Sequence, residues 1–290
     1  MRRLAPLLLG ALLASCAPPS LPSPHYVLGE PYQAGGVWWY PRATLRLDET
    51  GLAEVYGSDH RDLTADGESF DQTAMAAANQ TLPLPCIARV TNLETGRQVL
   101  VRINDRGPST SRRMLAVTRR VAELLGFAPG GVARVRVQVL ERESQEAQAA
   151  LPGAPVLAVA AAPRGAVEAA SLAPPAGARG SAGPVTAAAG PAVSATPAVS
   201  VPLRLAETLT QTAPDPGTLW IELGGFPTYE FANMQRAAVA QLGATVVSHT
   251  EGRTENFRVM IGPIPDVTQA DHLLDETVAA GVPDGRIVVR

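Results

Sequence analysis

Between Phe127 and Trp220 the chain carries no aromatic residue, and from about Glu141 to Pro216 it is built mainly from Ala, Pro, Gly, Ser and Val, as in AVAAAPRGAVEAASLAPPAGARGSAGP. Such a stretch has too little apolar side-chain surface to offset the entropy lost on ordering it, so it cannot be the middle of one continuous core. The 290 residues therefore read as two folded units, 49–141 and 217–290, joined by a disordered linker, 142–216, with a flexible-coil reach of roughly 45–50 Å. Hydrophobic residues make up 46% of the chain, which rules out wholesale disorder, but aromatics make up only 4%, low for two full-sized cores, so part of the chain is expected to pack against nothing. Net charge is −3, and every basic side chain is an arginine. A nucleic-acid partner normally requires a clustered positive excess, which is absent.

The first sixteen residues, MRRLAPLLLGALLASC, run from two arginines through an apolar stretch to small residues and a cysteine. That is the pattern of a signal peptide, and it is shorter than the roughly 20 apolar residues that span a bilayer. Prolines at 18, 19, 22 and 24 break any continuing helix. The ending Leu13-Ala14-Ser15-Cys16 resembles the bacterial lipobox, which implies acylation at Cys16 and an N-terminal segment, 17–48, starting at the lipid. Ala17 is not the aspartate that holds enteric lipoproteins in the inner membrane, so an outer-membrane anchor facing the periplasm is expected. Cys86 is then left alone in the apolar stretch LPLPCIARV, as a small buried hydrophobe.

In the first unit, 51–57, 87–92, 98–104 and 133–140 are short β-branched stretches, and ARVRVQVL alternates clearly. Val117, Val121, Leu124 and Leu125 lie at helical spacing, with Gly126 as the stop. A small, mostly β barrel with one helix fits, because strands this short need closure to protect their edges. In the second unit TLWIEL, TVVSH, FRVMIGPI and RIVV read as strands, with FANMQRAAVAQLG and VTQADHLLDETVAAG as helices. This is the βαββαβ order of a split βαβ sheet, an arrangement too common to fix a function.

Five segments in order, Ala65-Asp66-Gly67-Glu68, Thr81–Pro85, Arg89–Leu93, Asn104-Asp105-Arg106-Gly107-Pro108 and Gly131–Val135, resemble the rare lipoprotein A (RlpA) family. GGVWWYPR at 35–42 is similar to the segment before the barrel in that family, and 217–290 resembles a SPOR domain through Ile221–Phe226. The resemblance implies a six-stranded double-psi β-barrel with the site of a lytic transglycosylase. Such an enzyme cleaves the MurNAc–GlcNAc bond of peptide-stripped glycan and leaves 1,6-anhydro ends in wall remodelling at the septum. The expected partners are denuded glycan strands, the membrane through the lipid, and proteins of the division machinery.

That chemistry needs one carboxylic acid to protonate the leaving oxygen and a nearby negative charge to steady the oxocarbenium-like state. On the resemblance, Asp105 is the general acid/base and Glu68 the partner that tunes it, with the roles exchangeable at this level. Substrate contacts are expected from Tyr56, His60, Asn79 and Arg106, and in the SPOR unit from Glu222 and Arg258, with Trp220 or Phe257 available for stacking. No cofactor is expected, and no histidine pair has metal spacing.

Three positions depart from the family pattern. Asn79 stands where the family has histidine, Val55 where it has tryptophan, and Ala116 where it has aspartate; the stretch before Thr64 is also one residue short. Asparagine can hydrogen-bond but cannot titrate. A second reading therefore stands beside the first: a catalytically inactive, glycan-binding lipoprotein.

Overall fold

The computed structural model describes residues 21–57, 62–128, 131–155, 204–251 and 254–290. The signal segment with Cys16 and Ala17, the loop with His60, and the central part of the expected linker lie outside them.

A short hairpin comes first, β1 (Tyr32–Ala34) and β2 (Val37–Trp39). The barrel follows: β3 (Asp48–Val55), β4 (Ala76–Ala78), β5 (Cys86–Asn92), β6 (Arg97–Asp105), β7 (Leu115–Val117), helix α1 (Arg119–Leu125) and β8 (Val132–Val139). Strand order is β4-β7-β3-β8-β5-β6, and β6 pairs back to β4, so six strands close on themselves and lose their open edges. β3–β7 and β4–β6 are the parallel pairs of the double-psi arrangement. The alternation read in ARVRVQVL turns Ala133, Val135 and Val137 into the same core as Val90, Val101 and Ile103.

Helix α1 begins where Thr118 Oγ1 accepts from the Val121 N–H. It ends at Gly126, whose φ of 71° is a left-handed stop that glycine adopts without Cβ strain. Val117, expected in the helical stripe, closes β7 instead. β4 and β7 are three residues long and buried on both faces, so neither shows the alternation by which a strand is recognised.

Of the segment expected to be disordered linker, both ends are ordered. α2 (Glu141–Ala149) packs on β5 through polar groups: Ser144 Oγ accepts from the Ile87 N–H at 2.9 Å, and Gln148 Nε2 donates to the Pro85 carbonyl at 2.8 Å. β9 (Leu209–Gln211) adds to the outer end of β6. Neither contact depends on an apolar stripe, so composition gave no sign of them.

The second unit is β10 (Leu219–Phe226), α3 (Tyr229–Ala238), β11 (Thr245–Glu251), β12 (Thr254–Ile264), α4 (Val267–Ala279) and β13 (Gly285–Val289). Its antiparallel sheet has order β11-β12-β10-β13, and the expected βαββαβ succession is the one found. The two units are docked rather than separate. Leu52 and Leu93 of the barrel join the apolar cluster of Ile221, Leu274 and Ile287. At Gly51 a Cβ would stand 3.3 Å from the Ile287 carbonyl oxygen, so glycine lets β13 approach β3 closely. Thr50 Oγ1 donates to the Val289 carbonyl at 2.6 Å, and the Arg113 guanidinium forks onto Asp271 at 2.7 and 2.8 Å.

Candidate active site

Asp105 is the last residue of β6, and the Arg106-Gly107-Pro108 turn carries the chain away from it with Gly107 at φ 141°. The carboxylate is 7% exposed, and its Oδ1 accepts from the N–H groups of Ala65 and Arg106, both at 2.8 Å. It is thereby aimed rather than free to rotate. It lies on a cleft of about 650 Å³ shared with Glu54, Tyr56, Thr64, Ser109 and Ala116. Burial, with Asp105 and Asp66 adding to it, holds the Tyr56 phenol well above its usual pKa, so it stays neutral. Its ring meets Phe70 edge-on at 5.0 Å.

Glu68 sits on the adjoining hollow, which shares Thr64 with the Asp105 cleft. Its Oε1 takes Arg102 at 2.7 and 2.8 Å, and its Oε2 takes Asn104 at 2.8 Å. The two expected acids therefore occupy neighbouring depressions joined by one turn. That turn is built by Thr64, whose N–H donates to the Glu68 carbonyl and whose hydroxyl accepts from the Glu68 N–H. Glu68 thus anchors the loop whose Ala65 N–H grips Asp105.

Asp66, between them, is fully buried and is pushed up to about pKa 7, first by burial and then by the charge of Glu68. One oxygen accepts from Thr64, and the other has no hydrogen-bond partner among the described residues. In the sequence Asp66 was legible only as a turn residue, because nothing in one dimension reveals its burial.

The other expected contacts have structural employment. Asn79 is 3% exposed, with Nδ2 donating to the Met114 carbonyl and Oδ1 accepting from Thr81 and Leu82 N–H, so it ties a turn. Arg106 spends its guanidinium on the carbonyls of Leu82 and Leu28, both at 2.6 Å, and pins the N-terminal segment to the barrel. Glu222 lies amid Arg286 (2.7 Å), Arg258 (2.9 Å) and Arg290 (3.5 Å). Burial lifts its pKa, but Arg286 and Arg258 outweigh that and hold it below the usual value. These groups line a cleft of about 880 Å³ between the open sheet face and Arg46, Asp48 and Arg136 of the barrel side. Trp220 stands over Gly262 with its Nε1 donating to Thr218. Phe257 is partly buried against the second unit's core and meets the exposed Tyr229 of α3 edge-on at 6.0 Å. Cys86 is fully buried and its thiol is pushed up to about 12 by burial, which leaves it unreactive. Among the described residues no group of His, Cys, Asp and Glu could hold a metal ion.

Residues 48–137 match the family model described as lytic transglycolase. Over 272 residues the chain is 33% identical to the endolytic peptidoglycan transglycosylase RlpA of Pseudomonas aeruginosa strain UCBPP-PA14, covering 91% of this chain and 78% of that protein. The protein of the same name from Rickettsia felis is 36% identical over 126 residues, 42% of this chain and 55% of its own length. Among solved structures, the SPOR domain of RlpA from Pseudomonas aeruginosa aligns with 19% identity and a TM-score of 0.24, over 25% of this chain and 99% of that one. With its closed six-stranded barrel and the extent of its likeness to the Pseudomonas protein, the chain belongs to the RlpA family.

Proposed function

We propose that the chain is an endolytic peptidoglycan transglycosylase that cleaves the MurNAc–GlcNAc bond of denuded glycan. The observation that carries this reading is Asp105, fixed by two backbone N–H groups on a cleft open to solvent. In the reaction its protonated carboxyl gives the proton to the bridging oxygen as the C1–O bond breaks. Its carboxylate then takes the proton of the MurNAc 6-hydroxyl as that oxygen bonds to C1. No water enters, and a 1,6-anhydro ring remains. Glu68 serves by holding the 64–68 turn that positions Asp105, and Tyr56 lines the cleft as a neutral wall. The second unit binds denuded glycan on its open sheet face around Glu222 and Arg258. Acylation at Cys16, an outer-membrane anchor facing the periplasm, and a place at the septum among division proteins complete the proposal on sequence grounds.

The test is incubation of purified residues 21–290 with amidase-stripped sacculi, followed by mass spectrometry for anhydro-ended products. Their absence, where another family enzyme yields them, refutes the proposal. Retained sacculus binding without products favours the second reading, an inactive glycan-binding lipoprotein. The engagement of Asn79 in tying a turn is the observation on that side.

A further inference from the structure

We propose that Glu54 is a further catalytic residue of this cleft, the carboxylate that faces the positive charge developing on the sugar while Asp105 handles the proton. The assignment rests on the transglycosylase reading above.

Among the described residues that line the cleft, Glu54 and Asp105 are the two carboxylates. Glu68, the acid expected to fill the stabilising role, opens on the other hollow and is neutralised by Arg102. A carboxylate already paired within hydrogen-bond distance has little charge left to offer a cation. Glu54 is placed differently. It lies on β3 directly opposite Ala116 of β7, so its side chain rises beside the position where this chain departs from the family's aspartate. The negative charge missing from one strand of the pair is present on the other. Its side chain is 35% exposed, so it can meet a substrate.

Among the described residues, the arginine beside it is already committed. Arg113 directs both terminal nitrogens onto Asp271 of α4, and its Nε lies 3.8 Å from Glu54 Oε2 without a hydrogen bond. Burial lifts the Glu54 pKa, Arg113 pulls it down, and Asp271 pushes it up again. No covalent step is asked of the residue. A fixed charge in a partly desolvated cleft lowers the barrier by opposing the charge of the transition state more than that of the neutral substrate.

The test uses the mature chain and denuded sacculi. Glu54→Gln keeps the shape and removes the charge, and it is expected to lower kcat tenfold or more with KM and melting temperature little changed. Adding Ala116→Asp to that variant returns the carboxylate from the opposite strand and is expected to restore a substantial part of kcat. Unchanged kcat in Glu54→Gln overturns the assignment. So does a loss that comes with a lowered melting temperature and is not rescued by Ala116→Asp. If the parent protein makes no anhydro product, the transglycosylase reading itself fails and takes this assignment with it; an active parent with an active Glu54→Gln variant sinks the assignment alone.

Discussion

Each folded unit buries a glutamate against arginine, Glu68 on Arg102 and Glu222 on three guanidinium groups, while the two acids of the barrel cleft are held in other ways. Glu68 is locked by Arg102 and Asn104, and Glu222 by Arg286, Arg258 and Arg290. Asp105 instead takes two backbone N–H groups, and Glu54 has its arginine drawn off by Asp271. The residue type is the same in kind; its function is set by how its charge is answered. A carboxylate closed by guanidinium is a structural staple, whereas one that lines a cleft is placed to move a proton or face a cation.

The sharpest way to break this contrast is Asp105→Asn. The amide oxygen still accepts from the Ala65 and Arg106 N–H groups, so the fold should persist while the titrating proton is gone. Turnover of denuded glycan should fall about 10²- to 10⁴-fold at unchanged melting temperature. Undiminished turnover would move the acid elsewhere.

The next largest effect tests the staples against each other. In Glu68→Gln, Arg102 is left 3% exposed without its counter-charge, a loss of about 3–5 kcal/mol. In Glu222→Gln the arginines that lose their partner are 24–42% exposed and can turn toward water. That change should cost about 1–2 kcal/mol, nearer to a surface pair. Denaturant midpoints measure both, and equal losses would remove the distinction.

Much of this frame was legible in the chain, and the parts that were not share a cause. The alternation of ARVRVQVL and the Gly126 stop are local signals, and they survive as β8 and α1. The aromatic-free stretch marked the division into two units. β4 and β7 left no trace, because three buried residues acquire strand geometry only from the barrel that surrounds them. Asp105 was found through its motif, but Glu54 inside GLAEVYG looked like one more strand residue. A charge among the small and apolar residues that end the strand was the available signal; its meaning depended on β7 lying opposite, which sequence separation conceals. The docking of the two units was equally hidden, since Gly51, Thr50 and Arg113 are unremarkable until β13 and α4 arrive.

A smaller effect separates Asp66 from the paired acids through pH. Its folded pKa of about 7 lies above the unfolded value near 3.9, so between those values the folded state holds the proton more tightly. The stability this contributes is complete below about pH 4 and is lost as pH rises through 7. Asp66→Asn should therefore gain on the parent as pH is raised from 5 to 8, by a few kcal/mol at most. Thermal unfolding at pH 5, 6.5 and 8 checks it; melting curves that stay parallel across that range would show that Asp66 does not titrate there.

The smallest effect expected lies at the junction, where Asp271 competes with Glu54 for Arg113. Asp271→Asn removes the fork that draws Arg113 away, so the guanidinium is freed to close on Glu54 and its pKa should drop. The cleft then acquires the kind of neutralised glutamate found at Glu68, and kcat should fall about two- to fivefold, under 1 kcal/mol in barrier. Asp275→Asn is the matched control. It breaks the neighbouring pair with Arg112, whose partners are 41% and 58% exposed, and such a pair contributes about 0–1 kcal/mol without touching the cleft. If both variants slow turnover equally, the effect is a loosened interface. If only Asp271→Asn does so, the second unit tunes the charge at the barrel's cleft, and the arginine between them is the element through which docking is felt.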